Sequence, residues 1–569
     1  MLIKQRFVPE KLPRLGSIPP LLQRIYAARG VSCVQELDNS LKYLLSYEQL
    51  KGMSDAVALL VRAIAQQQRI LIIGDFDADG ATATAVGVLG LRMLGATQVD
   101  YLVPNRFDYG YGLTVGIVEQ AHQLAPDLII TVDNGISSID GVQLAKSLGM
   151  RVLITDHHLP GEVLPVADAI VNPNQPGCSF PSKALAGVGV IFYVLLALRA
   201  RMRELNSFAG AEPNLAQLLD LVALGTVADV VPLDANNRRL VQQGLARIRA
   251  GHARPGIKAI AEVGRRQLAN MVAMDLGFIV GPRLNAAGRM DDMSIGIECL
   301  LAEDESQALL LAQQLESLNA ERKRTEQNMQ REALVQLQDL PEDNLPFGIC
   351  VYEQDWHQGV TGILASRLKE RYHRPVIAFA DAGDGSLKGS ARSVAGLHVR
   401  DALAAIDAQN PQLIRKFGGH AMAAGLTIAQ ADYAEFVQAF DAQVRTCLTE
   451  DELAGICVTD GELVAGEFAL DLALQLRLAG PWGQQFPEPS FHGRFKLMQQ
   501  RLVGERHLKM VLHNETTRID VDAIAFNVDL EQWPNPNIQY ADLAYRLDVN
   551  EFRGKQSLQL LVEHLIAVG

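Results

Sequence analysis

The run Ile70-Leu71-Ile72-Ile73 ends in Gly74 and then in three aspartates at alternate positions, Asp75, Asp77 and Asp79, before Gly80 opens a stretch rich in alanine and glycine. Four consecutive apolar residues read as a buried strand. The stretch 81–94 reads as a helix whose small side chains let it lie close against a sheet. Further strands are expected at 99–103, 128–132 and 152–155, with helices at 114–123 and 138–148 between them. Strands alternating with helices at this spacing predict an α/β fold, a parallel sheet with right-handed crossovers.

The acids matter by number and by place. One Asp after a strand is common, as a helix cap or an Asx turn. Three within five residues repel one another. They would point the same way if the strand continued, and would crowd one loop at its carboxyl end if the chain has turned, which is where open α/β sheets put ligands. Either geometry calls for a cation, and a divalent metal bound by hard oxygen ligands is the simplest. The other strands end similarly. Strand 128–132 runs into Asp133-Asn134-Gly135 and strand 152–155 into Asp156-His157-His158, while Asp229 follows a helical run at 215–224. Separately these are a good turn and a good cap. Together they gather carboxylates and imidazoles on one sheet edge, as functional clefts do.

Length and composition bound the rest. A chain of 569 residues is too long for one core and suggests several domains, and 48% hydrophobic residues make it globular. A net charge of -13 excludes a generally basic nucleic-acid coat. A polyanion would have to sit in a local groove of Arg and Lys, with metal ions helping. The six cysteines are scattered without a CxxC pair, the pattern of a reducing compartment with no structural zinc. The first residues hold no apolar core of a secretory leader, and the longest apolar run, 184–198, is broken by Gly187 and Gly189 and reads as a buried helix. A soluble, cytoplasmic protein without a membrane segment is expected.

Residues 305–338 contain no Gly or Pro and carry Leu at helical intervals, predicting one long helix, with Arg322-Lys323-Arg324 as solvated charge on it. Strand and helix signals alternate again at 345–448. After 450 short alternating segments, at 491–497, 508–512, 519–526, 543–549 and 558–565, suggest an antiparallel β domain. Arg494, Lys496, Arg501, Arg506, Lys509 and Arg553 lend it charge, and Phe495 and Phe552 read as core residues.

GDFDADG at 74–80, VDNG at 132–135, the triplet Asp156-His157-His158, GTVADVVPL at 225–233 and FGGHAMAAG at 417–425 together resemble the DHH phosphoesterase superfamily, and within it the exonucleases specific for single-stranded DNA. The resemblance spans essentially the whole chain. It implies an N-terminal extension at 1–48, a parallel-sheet DHH catalytic domain at 49–302, and a long connector helix at 303–340. A smaller α/β DHH-associated, substrate-binding domain at 341–449 and a C-terminal OB-fold-like, nucleic-acid-binding domain at 450–569 follow.

By the same resemblance the activity is a 5′-to-3′ exonuclease in DNA repair and recombination, hydrolysing single-stranded DNA to 5′-mononucleotides. Two divalent ions, manganese or magnesium, about 3.5–4 Å apart, would activate a water and stabilise the leaving oxygen. The implied ligands are Asp75, Asp77, Asp79, Asp133, His157 and Asp229, with Asp133 as candidate bridge. Asp156 is expected to hold His157 in its tautomer. His158, pointing away from His157, is expected to face the substrate as a catalytic group. Gly418, Gly419 and His420, with Ser390, Arg392, Ser393 and the arginines Arg106, Arg283 and Arg289, look like an anion pocket, which in the family holds the 5′-phosphate. Implied partners are single-stranded DNA, a single-strand-binding protein and a helicase. No sustained heptad asks for more than a monomer. The alternatives are a DHH phosphodiesterase of short oligonucleotides or cyclic dinucleotides, which resembles the two central domains only, and a non-catalytic replication scaffold, which would lose the carboxylates.

Overall fold

The structure is a computed structural model that describes residues 2–105, 111–208, 210–338, 345–552 and 554–568. Five parallel strands form the first sheet, in the order β2-β1-β3-β4-β5: β1 Ile70–Ile73, β2 Val99–Leu102, β3 Leu128–Val132, β4 Arg151–Thr155 and β5 Ala169–Val171. Their carboxyl ends are in register, with Ile73 opposite Leu102 and Thr131, and Thr155 opposite Val132 and Val171. The residues that follow β1, β3 and β4 therefore emerge along one edge.

Every residue of β1 and β3 is buried. Each such aliphatic side chain contributes about 1.5–3 kcal/mol. Burial on both faces needs helices on both faces. The crossovers are α1 Ala78–Met93, α2 Val115–Gln123 and α3 Ile139–Ser147. Helix α4, Gly187–Glu204, packs on α1 through glycine, since a Cβ at Gly90 would stand 2.2 Å from Leu195 Cδ1, and α1 lies close on the sheet for the same reason, a Cβ at Gly87 falling 2.8 Å from Ile72 Cδ1 of β1. Helices α5 Leu219–Ala228, α6 Ala235–Arg249 and α7 Gly281–Met290 follow.

The expected connector is observed as one helix, α8 Glu305–Gln338. Arg322 on it differs from the expectation of solvated charge. It is buried, 2.6 Å from Glu326 and 2.9 Å from Asn319. A guanidinium one helical turn from a carboxylate pairs with it when burial removes water as the competitor.

The chain divides into two compact units, one of residues 1–2 with 317–457, the other of 3–316 with 458–569. The first contains a mixed sheet in the order β9-β10-β8-β7-β6, where β6 is Ile349–Tyr352, β7 Val376–Asp381, β8 Ser386–Arg392, β9 Lys416–Gly419 and β10 Ala423–Ala429. Only β6 and β7 run parallel. Helix α9, Thr361–Tyr372, lies between β6 and β7 in sequence, and α10 Val399–Gln409 and α11 Tyr433–Cys447 complete the core through Leu403, Phe436 and Phe440.

The other unit holds the first sheet together with a closed five-stranded barrel, β11 Phe491–Val503, β12 His507–Asn514, β13 Ile519–Ala525, β14 Tyr540–Phe552 and β15 Lys555–Val568. Closure makes one pair parallel, β13 with β15, where the sequence pattern suggested an antiparallel domain throughout. Phe495 is 1% exposed and packs at 5.5 Å from Tyr545, so it is core; the side chain of Phe552 lies outside the described residues. The N-terminal segment is built into this unit rather than appended to it. The fully buried Arg29 guanidinium grips both oxygens of Asp460 at 2.8 and 2.9 Å and donates to Pro487 O. Arg238 and Arg239 of α6 donate to the carbonyls of Glu36, Asp38 and Gln35.

Candidate metal centre and anion site

The chain turns as soon as β1 ends. Asp75 is buried and accepts from the Phe76 amide at 2.7 Å. Asp77 caps α1, its Oδ1 accepting from Gly80 N at 2.9 Å, while Asn285 on α7 caps the neighbouring Ala78 amide at 2.8 Å. Asp79 falls in the first turn of α1. Both its oxygens are taken by the first amides of α4, Gly187 N at 2.6 Å and Val188 N at 3.0 Å. A helix start offers unsatisfied donors and positive potential, so it suits a carboxylate.

Asp133, the first residue beyond β3, has φ +63°, a conformation that costs a non-glycine residue energy and is retained where surrounding structure enforces it. The strained turn sends its carboxylate inward, where Oδ1 is 3.0 Å from His157 Nε2. The same nitrogen is 3.5 Å from Asp229 Oδ2, at the end of α5. Asp156 is fully engaged. One oxygen accepts from Ile136 N at 2.9 Å, and the other from His157 N at 2.7 Å, His158 N at 3.0 Å and the His158 ring at 2.8 Å. The expectation that Asp156 orients His157 is thus corrected: it orients His158, because the tight turn brings its own carboxylate back over the residue two positions on. The expectation that His158 points away from His157 is corrected too: the ring centroids are 4.5 Å apart with planes tilted 56°, and His157 Nε2 and His158 Nδ1 lie 3.0 and 4.0 Å from the same Asp133 Oδ1, because the chain turns here instead of running on extended.

The electrostatics are those of acids pressed together. Burial, then the charges of neighbouring aspartates, raises Asp79 and Asp133 well above the usual carboxylate range. Burial and Asp77 push Asp229 up to about 7. Burial opposes the His158 imidazolium, but Asp156, with Asp229 and Asp75 beyond, outweighs it and lifts its pKa to about 9. Asp156, although buried, is lowered by its bond to His158. One potential ligand atom from each of Asp75, Asp77 and Asp133 lies within 4.8 Å of the others, as do those of Asp79, His157 and Asp229, and those of Asp133, His157 and His158. Carboxylate oxygens with an imidazole among them, buried and short of positive charge, fit magnesium or manganese.

The expected anion-binding residues divide. Arg106 lies outside the described residues. Arg283, buried on α7, pairs with Glu316 at 2.5 Å and donates to Ile279 O at 2.6 Å, a brace inside its own unit. Arg289 is half-buried at the end of the same helix. In the other unit, Ser393 is buried with its hydroxyl donating to Leu397 O, so the structure does not turn it to a ligand. Ser390 and Arg392 stand two apart on β8 and share a face. Gly418 and Gly419 belong to strand β9, not to a loop that wraps a phosphate. Gly419, at φ +140°, leads into a hairpin closed by His420 N donating to Ala423 O at 2.8 Å.

Family models match three stretches of the chain: the DHH family N-terminal domain at 69–226, the DHHA1 domain at 345–446 and the RecJ OB domain at 459–564. The chain is 59% identical over 554 residues to the single-stranded-DNA-specific exonuclease RecJ of Dickeya dadantii, covering 96% of each. It is 55% identical over 568 residues to that of Escherichia coli, covering 99% of this chain and 98% of the relative. The chain belongs to the RecJ family. The crystal structure of RecJ from Thermus thermophilus in complex with Mn2+ superposes with a TM-score of 0.82 at 31% identity, covering 100% of this chain and 79% of that one.

Two residues of this RecJ-family site were invisible as motifs. Tyr111 donates to Asp133 O at 3.1 Å and lies 3.2 Å from the His158 ring. Asn285 caps the aspartate-bearing turn from 207 residues away. Tyr111 sits in a glycine-flanked loop beyond β2, at the same edge as the acids, which was the available signal. Asn285 offered none. On the barrel, Phe526 is 53% exposed and edge-on to His507, a surface aromatic where Phe495 is not.

Proposed function

We propose that this RecJ-family chain is a metal-dependent exonuclease that hydrolyses single-stranded DNA in the 5′-to-3′ direction to 5′-mononucleotides, serving repair and recombination in the cytoplasm. Among the described residues no helix is long and apolar enough to cross a membrane. The observation that carries the reading is the convergence of Asp75, Asp77, Asp133, His157 and Asp229 on one sheet edge of a chain so close to RecJ exonucleases.

Those five residues, together with Asp79, would hold two divalent ions, manganese or magnesium, with Asp133 as the candidate bridge. Asp79, the sixth, gives both oxygens to amides of α4 and so also ties that helix to the site. When bound, the two ions supply an activated water and charge stabilisation at the departing oxygen. His158, oriented by Asp156 and partly open to solvent, would face the substrate, where it could bind the scissile phosphate or protonate the leaving 3′-oxygen. Ser390 and Arg392 would receive the 5′-phosphate, and each cleavage would leave a new one for the next round. The barrel would hold the strand beyond, using base stacking and a basic groove. A single-strand-binding protein and a helicase are the partners such an activity calls for, and the chain would work as a monomer.

The test supplies purified protein and manganese or magnesium with a 5′-labelled single strand, its blunt duplex and a dinucleotide. Stepwise release of mononucleotides from the single strand alone is expected. Rapid loss of only the dinucleotide would assign the chain to the short-oligonucleotide phosphodiesterases, and no hydrolysis at all would make it a scaffold.

A further inference from the structure

The Arg392 side chain is half-buried and has no acid. Among the described residues no carboxylate pairs with it, its one internal hydrogen bond goes to the Ala391 carbonyl at 2.8 Å, and burial alone lowers its pKa. A half-buried guanidinium with donors to spare and no carboxylate beside it is suited to take an anion. The face on which it stands is cleared for one. Across the sheet from Ser390 lies Gly425 on β10, and across from Gly425 lies Gly418 on β9. A Cβ at Gly418 would meet nothing within 4 Å.

The opposite wall comes from the first turn of α9. Thr361 is buried, its hydroxyl 3.0 Å from Ser390 Oγ and 3.0 Å from Gln358 O. Next to it, a Cβ at Gly362 would stand 2.9 Å from Arg392 Nη2 and 3.7 Å from Ser390 Cβ. We infer that Thr361 and Gly362 are positioning residues for the 5′-phosphate: Gly362 leaves the space in which the Arg392 guanidinium lies, and Thr361 orients the Ser390 hydroxyl.

Thr361 has one hydroxyl hydrogen and two acceptors within reach. When Ser390 donates to an anion, Thr361 can turn its hydrogen from Gln358 O to Ser390 Oγ, so that Ser390 accepts one hydrogen bond while making another. Gly362 acts by absence. Alanine is at least as good a helix former as glycine, so Gly362→Ala leaves the first turn of α9 intact, and the atom that must yield is the far end of a flexible side chain. The predicted lesion is therefore a displaced guanidinium in an intact domain.

The inference rests on the 5′-phosphate reading given above, and the experiment separates the two. Rates on one single strand bearing either a 5′-phosphate or a 5′-hydroxyl are compared for the full-length protein and for Arg392→Ala, Gly362→Ala, Thr361→Val and Thr361→Ser. Gly362→Ala and Thr361→Val should each cut the preference for the phosphorylated end about tenfold, through a rise in KM for that strand exceeding any fall in kcat. Thr361→Ser should restore it, and melting temperatures should stay near the parent's. If Arg392→Ala loses the preference while Gly362→Ala and Thr361→Val keep it, the positioning roles are wrong. If Arg392→Ala also keeps it, the phosphate does not bind here and the inference falls with that reading.

Discussion

The amide of Gly187 donates to Asp79 at 2.6 Å, and a Cβ on that same glycine would stand 2.6 Å from the Cβ and Oδ1 of Asp133. One position thus sets the approach of α4 to two of the acids. Gly187→Ala should push Asp133 off its place, lowering kcat/KM at least about tenfold and stability by about 1–3 kcal/mol. Steady-state kinetics beside a urea melt measure both. Normal kinetics with normal stability would show that the site tolerates the extra carbon.

Asp77→Ala and His157→Ala should abolish hydrolysis while single-strand binding persists, because the barrel and the Arg392 site are untouched. Fluorescence anisotropy with a labelled oligonucleotide reads the binding. Near-normal turnover in either variant would remove that residue from the metal centre.

Asp156 serves four donors, the amides of Ile136, His157 and His158 and the His158 ring. Asn has nearly the same shape but turns an NH2 toward some of them, leaving buried donors unmatched. Asp156→Asn should cost about 1–3 kcal/mol, visible in the denaturation midpoint, and should slow hydrolysis through the released His158. An unchanged midpoint would mean that the loop is held by something else.

Chelation should stop hydrolysis, and manganese should both restore it and raise the melting temperature, since a ligand that binds only the folded state stabilises it. The clustered acids give this a second arm. Asp133 repels Asp79, Asp77, Asp229 and Asp75 in a buried place, so Asp133→Asn should raise the melting temperature of the chelated protein while abolishing the gain from manganese. A lower melting temperature in the chelated variant would show that Asp133 is stabilising without a cation.

Local pattern made much of this legible. The apolar runs of β1, β3 and β4 and the Gly- and Pro-free run of α8 are properties of neighbours in sequence, and the acids follow the strands directly. Strand β5, Ala169–Val171, is three residues long and too short to leave a pattern. Partners from afar were equally hidden. Nothing near Arg283 announces Glu316, nothing near Asp79 announces the amides of α4, and FGGH is as good a hairpin as it is a phosphate loop until its pairing with β10 is seen. Residue type suggested what these groups can do; only the fold says with whom they do it.

The buried pair of Arg29 and Asp460 also has a schedule. Its members are 431 residues apart, and chains are made from the N-terminus at about 5–20 residues per second. For tens of seconds of synthesis the N-terminal segment must wait with an uncompensated guanidinium that cannot be buried without its carboxylate. The unit containing the metal centre can therefore reach its final form only after the chain has passed through the other unit, so the last-made part of this protein completes the first.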